Sequence, residues 1–206
     1  MIDNIVWLGH SSIKIIRDKI IYIDPYNLTK SYNDADIIFI THSHYDHYSK
    51  EDIKKCMNKD TKIIVTSDIK DDVLALGLKE VIDVEPNNEY IADNISFNTI
   101  RAYNPNKSFH PKENNWVGYI ININGIKYYI AGDTDITDEN KRVKCDVAFL
   151  PVGGKYTMDA YEASELANII KPKIVIPIHY GTIIGSEEDA ITFKNNVDSN
   201  IECIIL

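Results

Sequence analysis

Ser12–Asp24 reads SIKIIRDKIIYID and Gly118–Asp133 reads GYIININGIKYYIAGD, and the likeness of these two stretches decides how the rest of the chain is read. Each has two apolar, β-branched runs, a tight turn and a closing aspartate, the pattern of a hairpin of strands. In the second stretch, Asn124-Gly125 is the dipeptide that favours a two-residue hairpin loop. The likeness continues outward. DIIFIT at Asp36–Thr41 is answered by DVAFLP at Asp146–Pro151, and KIIVT at Lys62–Thr66 by KIVIP at Lys173–Pro177, with a helical stretch inside each half. Two similar β-rich halves, each ending in β-α-β, are predicted. The economical packing is an α/β (α+β) four-layer αββα sandwich, two sheets face to face with helices outside.

The β-branched and aromatic runs predict strands at Ile5–Leu8, Ile13–Ile16, Ile20–Ile23, Ile37–Thr41, Ile63–Thr66, Ile95–Ala102, Val117–Ile123, Ile126–Ala131, Val147–Leu150, Ile174–Ile178 and Ile201–Ile205. Helices are expected after capping-box pairs: Ser49 with Asp52, Asp68 with Asp71, Asp159 with Glu162, and Ser186 with Asp189. No linker, charge block or low-complexity run divides the 206 residues, so a single domain over 1–206 is expected. The 44% apolar content is enough for one core. No apolar run is long enough to cross a bilayer, and the opening MIDNIVWLGHSS lacks the basic head of a signal peptide, so a cytoplasmic, non-membrane protein is expected. Cys56, Cys145 and Cys203 are odd in number and far apart, which points to reduced thiols in or near the core.

A formal charge of −9 disfavours a nucleic-acid partner, which calls for a basic stripe. A small-molecule substrate is expected, and it can be anionic if bound metal offsets the local charge. The sequence leaves homo-oligomerisation open.

The chemistry is concentrated in His42-Ser43-His44-Tyr45-Asp46-His47, directly after a predicted strand: four possible metal ligands within six residues, in a chain with only six histidines. Histidines at alternate positions of an extended segment point the same way, and the following turn can bring Asp46 and His47 to a neighbouring point. The loop can therefore serve two metals. Asp133, in AGDTD, and His179, after KIVIPI, stand at the C-terminal ends of strands in the second half. Their matched placement makes both candidate ligands. His110, in the long loop NPNKSFHPKENNWVGY, would complete a three-histidine site with one position open for water.

These residues resemble the metallo-β-lactamase fold superfamily: THSHYDH matches its HxHxDH motif, AGDTD its central aspartate and IPIHYGT its closing histidine. WLGHSSIKI, IYIDP and VGYII further resemble its compact branch of ascorbate-6-phosphate lactonase-like proteins. The resemblance implies a metal-dependent hydrolase with two divalent ions, zinc first, with manganese, iron or nickel as alternatives. It puts His42, His44 and His110 on one ion, Asp46, His47 and His179 on the other, and Asp133 across both. A hydroxide activated by the two ions would attack a small ester, lactone or phosphodiester. Asp46 would orient it, and leaving-group protonation would fall to water, His10 or Tyr180. His10 matches the branch's Gly-His near the first strand, and Tyr180 directly follows a ligand. Three rival readings remain: a metal-dependent nuclease, an oxygen-reducing di-iron protein and a non-catalytic metal-binding protein. The first lacks a basic insertion here. The second group resembles this chain but carries a glutamate where His44 stands.

Overall fold

The computed structural model describes residues 2–206, which form two compact units, one ending at Glu85 and the other beginning at Pro86. The first unit is a six-stranded sheet in sequence order: β1 (Ile5–Gly9), β2 (Ser12–Ile16), β3 (Ile20–Ile23), β4 (Ile37–Phe39), β5 (Lys62–Thr66) and β6 (Glu80–Val84). β1, β2 and β3 run antiparallel, and β3 through β6 run parallel. Parallel neighbours need a crossover. Helices α1 (Lys50–Cys56) and α2 (Lys70–Leu74) supply it, linking β4 to β5 and β5 to β6.

Ser49 caps α1 by accepting from the Asp52 amide, as its sequence predicts. Asp68 does not cap α2. A 3-10 turn at Ser67–Ile69 intervenes, so the helix starts one residue after Ile69 and the Asp68–Asp71 pair falls out of register with its end. β3 and β4 read as unbroken apolar runs because their faces are buried almost throughout. Tyr22, Ile38, Ile40, Ile63 and Val65 form one cluster with Ile53 and Cys56 of α1 and Val73 of α2.

The second unit is a seven-stranded sheet of β7 (Glu89–Ala92), β8 (Ile95–Arg101), β9 (Val117–Ile123), β10 (Ile126–Ile130), β11 (Val147–Pro151), β12 (Ile174–Ile178) and β13 (Glu202–Cys203). β7 through β10 are antiparallel and β10 through β13 parallel, so the order of connections in the first unit recurs. α3 (Ala160–Ile170) and α4 (Glu187–Asn196) make the crossovers from β11 to β12 and from β12 to β13. Asn124 and Gly125, both at positive φ, form the β9–β10 turn as expected of that dipeptide. The predicted capping boxes are present at α3 and α4, where Glu162 and Asp189 reach back to the amides of Asp159 and Ser186.

The repeat read from sequence is therefore structural. Asp24 donates its amide to Phe39 O and Ala131 donates its amide to Phe149 O, the same step from β3 to β4 and from β10 to β11. The His42–His47 loop, Asp133 and His179 follow the C-terminal ends of parallel strands, where an α/β sheet leaves room for a ligand, whereas His10 and His110 lie in connections between antiparallel strands. Two strands have no counterpart among the predicted elements: β6, whose EVIDV carries two acids, and β7, a short edge strand. Among the described residues no helix is long and apolar enough to cross a membrane.

Candidate functional site

In the first unit, the turn after β4 carries the His42–His47 loop, and the turn after β3 carries Asp24, at φ 43°. Asp24 is buried and accepts from the Thr41 amide (2.8 Å), the Thr41 hydroxyl (2.7 Å) and His47 Nδ1 (2.8 Å). A carboxylate can only accept, so the proton between Asp24 and His47 lies on His47 Nδ1. Thr41 has a single hydroxyl proton, which it gives to Asp24. Its oxygen, 3.0 Å from His42 Nδ1, must then accept, and His42 too carries its proton on Nδ1. In a neutral state both rings thus keep Nε2 as the lone-pair atom. His42 Nε2 lies 3.1 Å from His44 Nδ1, and His47 Nε2 lies 3.6 Å from Asp46 Oδ2.

The loop holds this arrangement through one helical turn, with the amides of His47 and Tyr48 donating to His44 O. His10 comes from the β1–β2 turn, where a bulge and a φ of 51° aim its ring at the loop. Its Nε2 is 3.0 Å from Asp46 Oδ2. One potential ligand atom each from His10, Asp46 and His47 all lie within 4.8 Å of one another, and all three residues are buried.

In the second unit, Asp133 follows β10, His179 follows β12 and His110 comes from the loop between β8 and β9. His110 Nε2 and His179 Nε2 lie 3.2 Å and 3.1 Å from the same oxygen, Asp133 Oδ2. His110 Nδ1 is 2.8 Å from Asn104 Oδ1 and 3.1 Å from Tyr156 O. His179 has φ 60°, a backbone conformation that non-glycine residues rarely adopt outside functional or tightly turned segments. Gly153, after β11, makes room for it: a Cβ there would sit 2.3 Å from His179 O and 3.3 Å from its Nδ1. Tyr180 is buried, and its hydroxyl is held protonated above the usual phenol range by burial, with Glu187 and Cys203 adding to the effect.

These donor sets fit a divalent cation. With His47 protonated on Nδ1, its neutral ring presents the Nε2 lone pair to Asp46, and two acceptors face each other. They repel unless a cation, metal ion or proton, lies with them. Nitrogen and oxygen donors without thiolate suit zinc and its first-row neighbours. The cysteines stay out of such chemistry, since burial pushes the thiols of Cys56 and Cys145 up to about 12 and that of Cys203 up to about 11.

Sequence reasoning quoted Asp24 as the end of a hairpin and within IYIDP but gave it no role, although the repeat that singled out Asp133 offered the same signal for Asp24. It passed over Thr41, Asn104 and Gly153, whose partners are set by the folded chain.

A chain with these two sheets and these histidine and aspartate clusters belongs to the β-lactamase superfamily: residues 4–179 match the family described as beta-lactamase superfamily domain. Among curated relatives, a UPF0173 metal-dependent hydrolase of Methanosphaera stadtmanae is 30% identical, over 96% of this chain and 92% of its own. A protein of Parabacteroides distasonis has a similar structure, with a TM-score of 0.79 and 30% identity over 98% of this chain and 91% of its own. Igni18, a metallo hydrolase of Ignicoccus hospitalis, gives a TM-score of 0.80 at 25% identity, covering 98% of this chain and 94% of its own.

Proposed function

We propose that this member of the superfamily is a metal-dependent hydrolase of a small ester, lactone or phosphodiester, with His42, His44, Asp46, His47, His110, Asp133 and His179 as ligands to two divalent ions. Zinc is the first choice of metal, followed by manganese, iron or nickel. The observation that carries the reading is the pairing of Nε2 atoms with carboxylate oxygens around buried Asp46 and Asp133. When bound, the ions would lower the pKa of water to about 7 and polarise the scissile group.

The chain's own residues do the rest. Asp24 and Thr41 keep His47 and His42 in the tautomer that leaves Nε2 for a metal. His10 Nε2 lies 3.0 Å from Oδ2 of Asp46, and after water it is the candidate to deliver a proton toward the leaving group. Tyr180, protonated throughout the neutral range, can act as a neutral hydrogen-bonding hydroxyl or a packing group. The net charge of −9 supports a small-molecule substrate over nucleic acid, and a cytoplasmic setting agrees with three reduced thiols.

The test is hydrolysis of matched lactones, thioesters and phosphodiesters by protein loaded with zinc or manganese, with and without chelator. Cleavage of one bond type that chelator abolishes and metal restores is expected. Metal-loaded, folded protein that cleaves none of them, or cleavage indifferent to chelator, sinks the reading.

A further inference from the structure

We propose that Asn104 is a positioning residue that fixes the proton of His110 on Nδ1 and thereby presents the Nε2 lone pair to Asp133. The argument starts from backbone groups, whose donor and acceptor roles are not open to reassignment. The His110 amide can only donate, and it points at Asn104 Oδ1 from 3.0 Å. The Tyr156 carbonyl can only accept, and Asn104 Nδ2 points at it from 3.1 Å. The two together fix which end of the Asn104 amide is oxygen.

That oxygen also faces His110 Nδ1 at 2.8 Å, and the second atom near Nδ1 is again the Tyr156 carbonyl, at 3.1 Å. Both neighbours of Nδ1 are acceptors, so Nδ1 carries the proton. In a neutral ring Nε2 is then the lone-pair atom, and it faces Asp133 Oδ2 at 3.2 Å.

The surrounding chain is built to hold this arrangement. The Asn104 amide donates to His110 O at 2.9 Å, so the segment from 104 to 110 is closed at both ends by the same two residues. Asn104 and His110 are both buried, and the His110 ring meets Trp116 edge-on, with ring centroids 5.6 Å apart. A neutral amide does here what the Asp24 carboxylate does for His47 in the other unit. A neutral amide polarises the ring it accepts from less than a carboxylate does, so Nε2 of His110 is the weaker electron-pair donor of the two.

The tautomer stands on the geometry alone, whereas its consequence for metal affinity rests on the proposed function. Nitrogen-15 imidazole spectra of the chelator-treated whole chain, at mildly alkaline pH where histidine is neutral, read the tautomer directly. Wild-type His110 is expected to show a protonated Nδ1 and an unprotonated Nε2. A proton on Nε2, alone or with Nδ1, overturns the proposal, and this arm needs no variant to fold.

Asn104→Ala removes one of the two acceptors. Its His110 signals are expected to shift toward a tautomer mixture, and its zinc affinity, by competition with a chromophoric chelator, to fall roughly 10–100-fold. Unchanged signals and affinity in folded Asn104→Ala would assign the role to the Tyr156 carbonyl and overturn the part given to Asn104. Wild-type protein with the expected tautomer but no affinity for any divalent metal would defeat the hydrolase reading and leave the tautomer assignment standing.

Discussion

Asp24 accepts three hydrogen bonds through its carboxylate, one from a backbone amide, one from a hydroxyl and one from His47. Its replacement by alanine therefore has two separable effects. The buried Thr41 amide loses its partner, which costs about 1–3 kcal/mol and is read by urea unfolding. His47 loses its tautomer lock, and zinc affinity is expected to fall about 10–100-fold in chelator competition. An Asp24→Ala protein with lowered stability but native affinity would confine Asp24 to holding the loop together. At this scale the sequence was legible wherever a residue acts through its own chemistry, as in the His42–His47 loop. Thr41 and Asn104 act by holding something else, and their partners are known only once the chain has folded. His10 lies between these cases: its neighbours in sequence say nothing of Asp46, 36 residues away.

Among the elements, α3 owes its start to Asp159, whose side chain accepts from the amides of Tyr161 and Glu162 while Glu162 accepts from the Asp159 amide. Asp159→Ala is expected to cost about 1 kcal/mol, roughly 2–4 °C in Tm for a chain of this size, with no change in bound metal. Calorimetry with elemental analysis checks both. Asp52 ties α1 to the segment after β3 by accepting from the amides of Asn27 and Leu28. Burial raises its pKa, but Lys55, Ser49 and those two amides outweigh burial and hold the carboxyl below its ordinary value. A depressed carboxylate contributes stability above its unfolded pKa, about 4, and loses it as pH falls through the folded value. Asp52→Asn should therefore be less stable than the native protein at neutral pH, with the gap closing in acid. A gap independent of pH in urea titrations would contradict this.

The strands were legible at this scale because both faces are buried and the runs are unbroken, as in β4, β11 and β12. β6 and β7 escaped because each is an edge strand of its sheet, carries charge and loses that signal. The Asp68–Asp71 pair misled because a capping motif cannot say whether a 3-10 turn will occupy its place.

For the whole molecule, the internal repeat was the most legible feature, since hairpin, aspartate, strand, helix and strand recur in the same order in both units. Its functional use is not symmetric. The first unit places its ligand loop after β4, and the second places His179 after β12, one strand further along the pattern. A repeat therefore foretells the frame and the two aspartates more securely than it foretells where each histidine stands. Asp46 and Asp133 each have histidine nitrogens within salt-bridge distance.

The most direct measurement is metal content by elemental analysis, on protein purified without added metal and again after supplementation and desalting. The account predicts about two divalent ions per chain, both lost on chelation and the content clearly reduced in His44→Ala and Asp133→Ala. Folded wild-type protein that stays metal-free after supplementation, or variants that keep the full content, would contradict it.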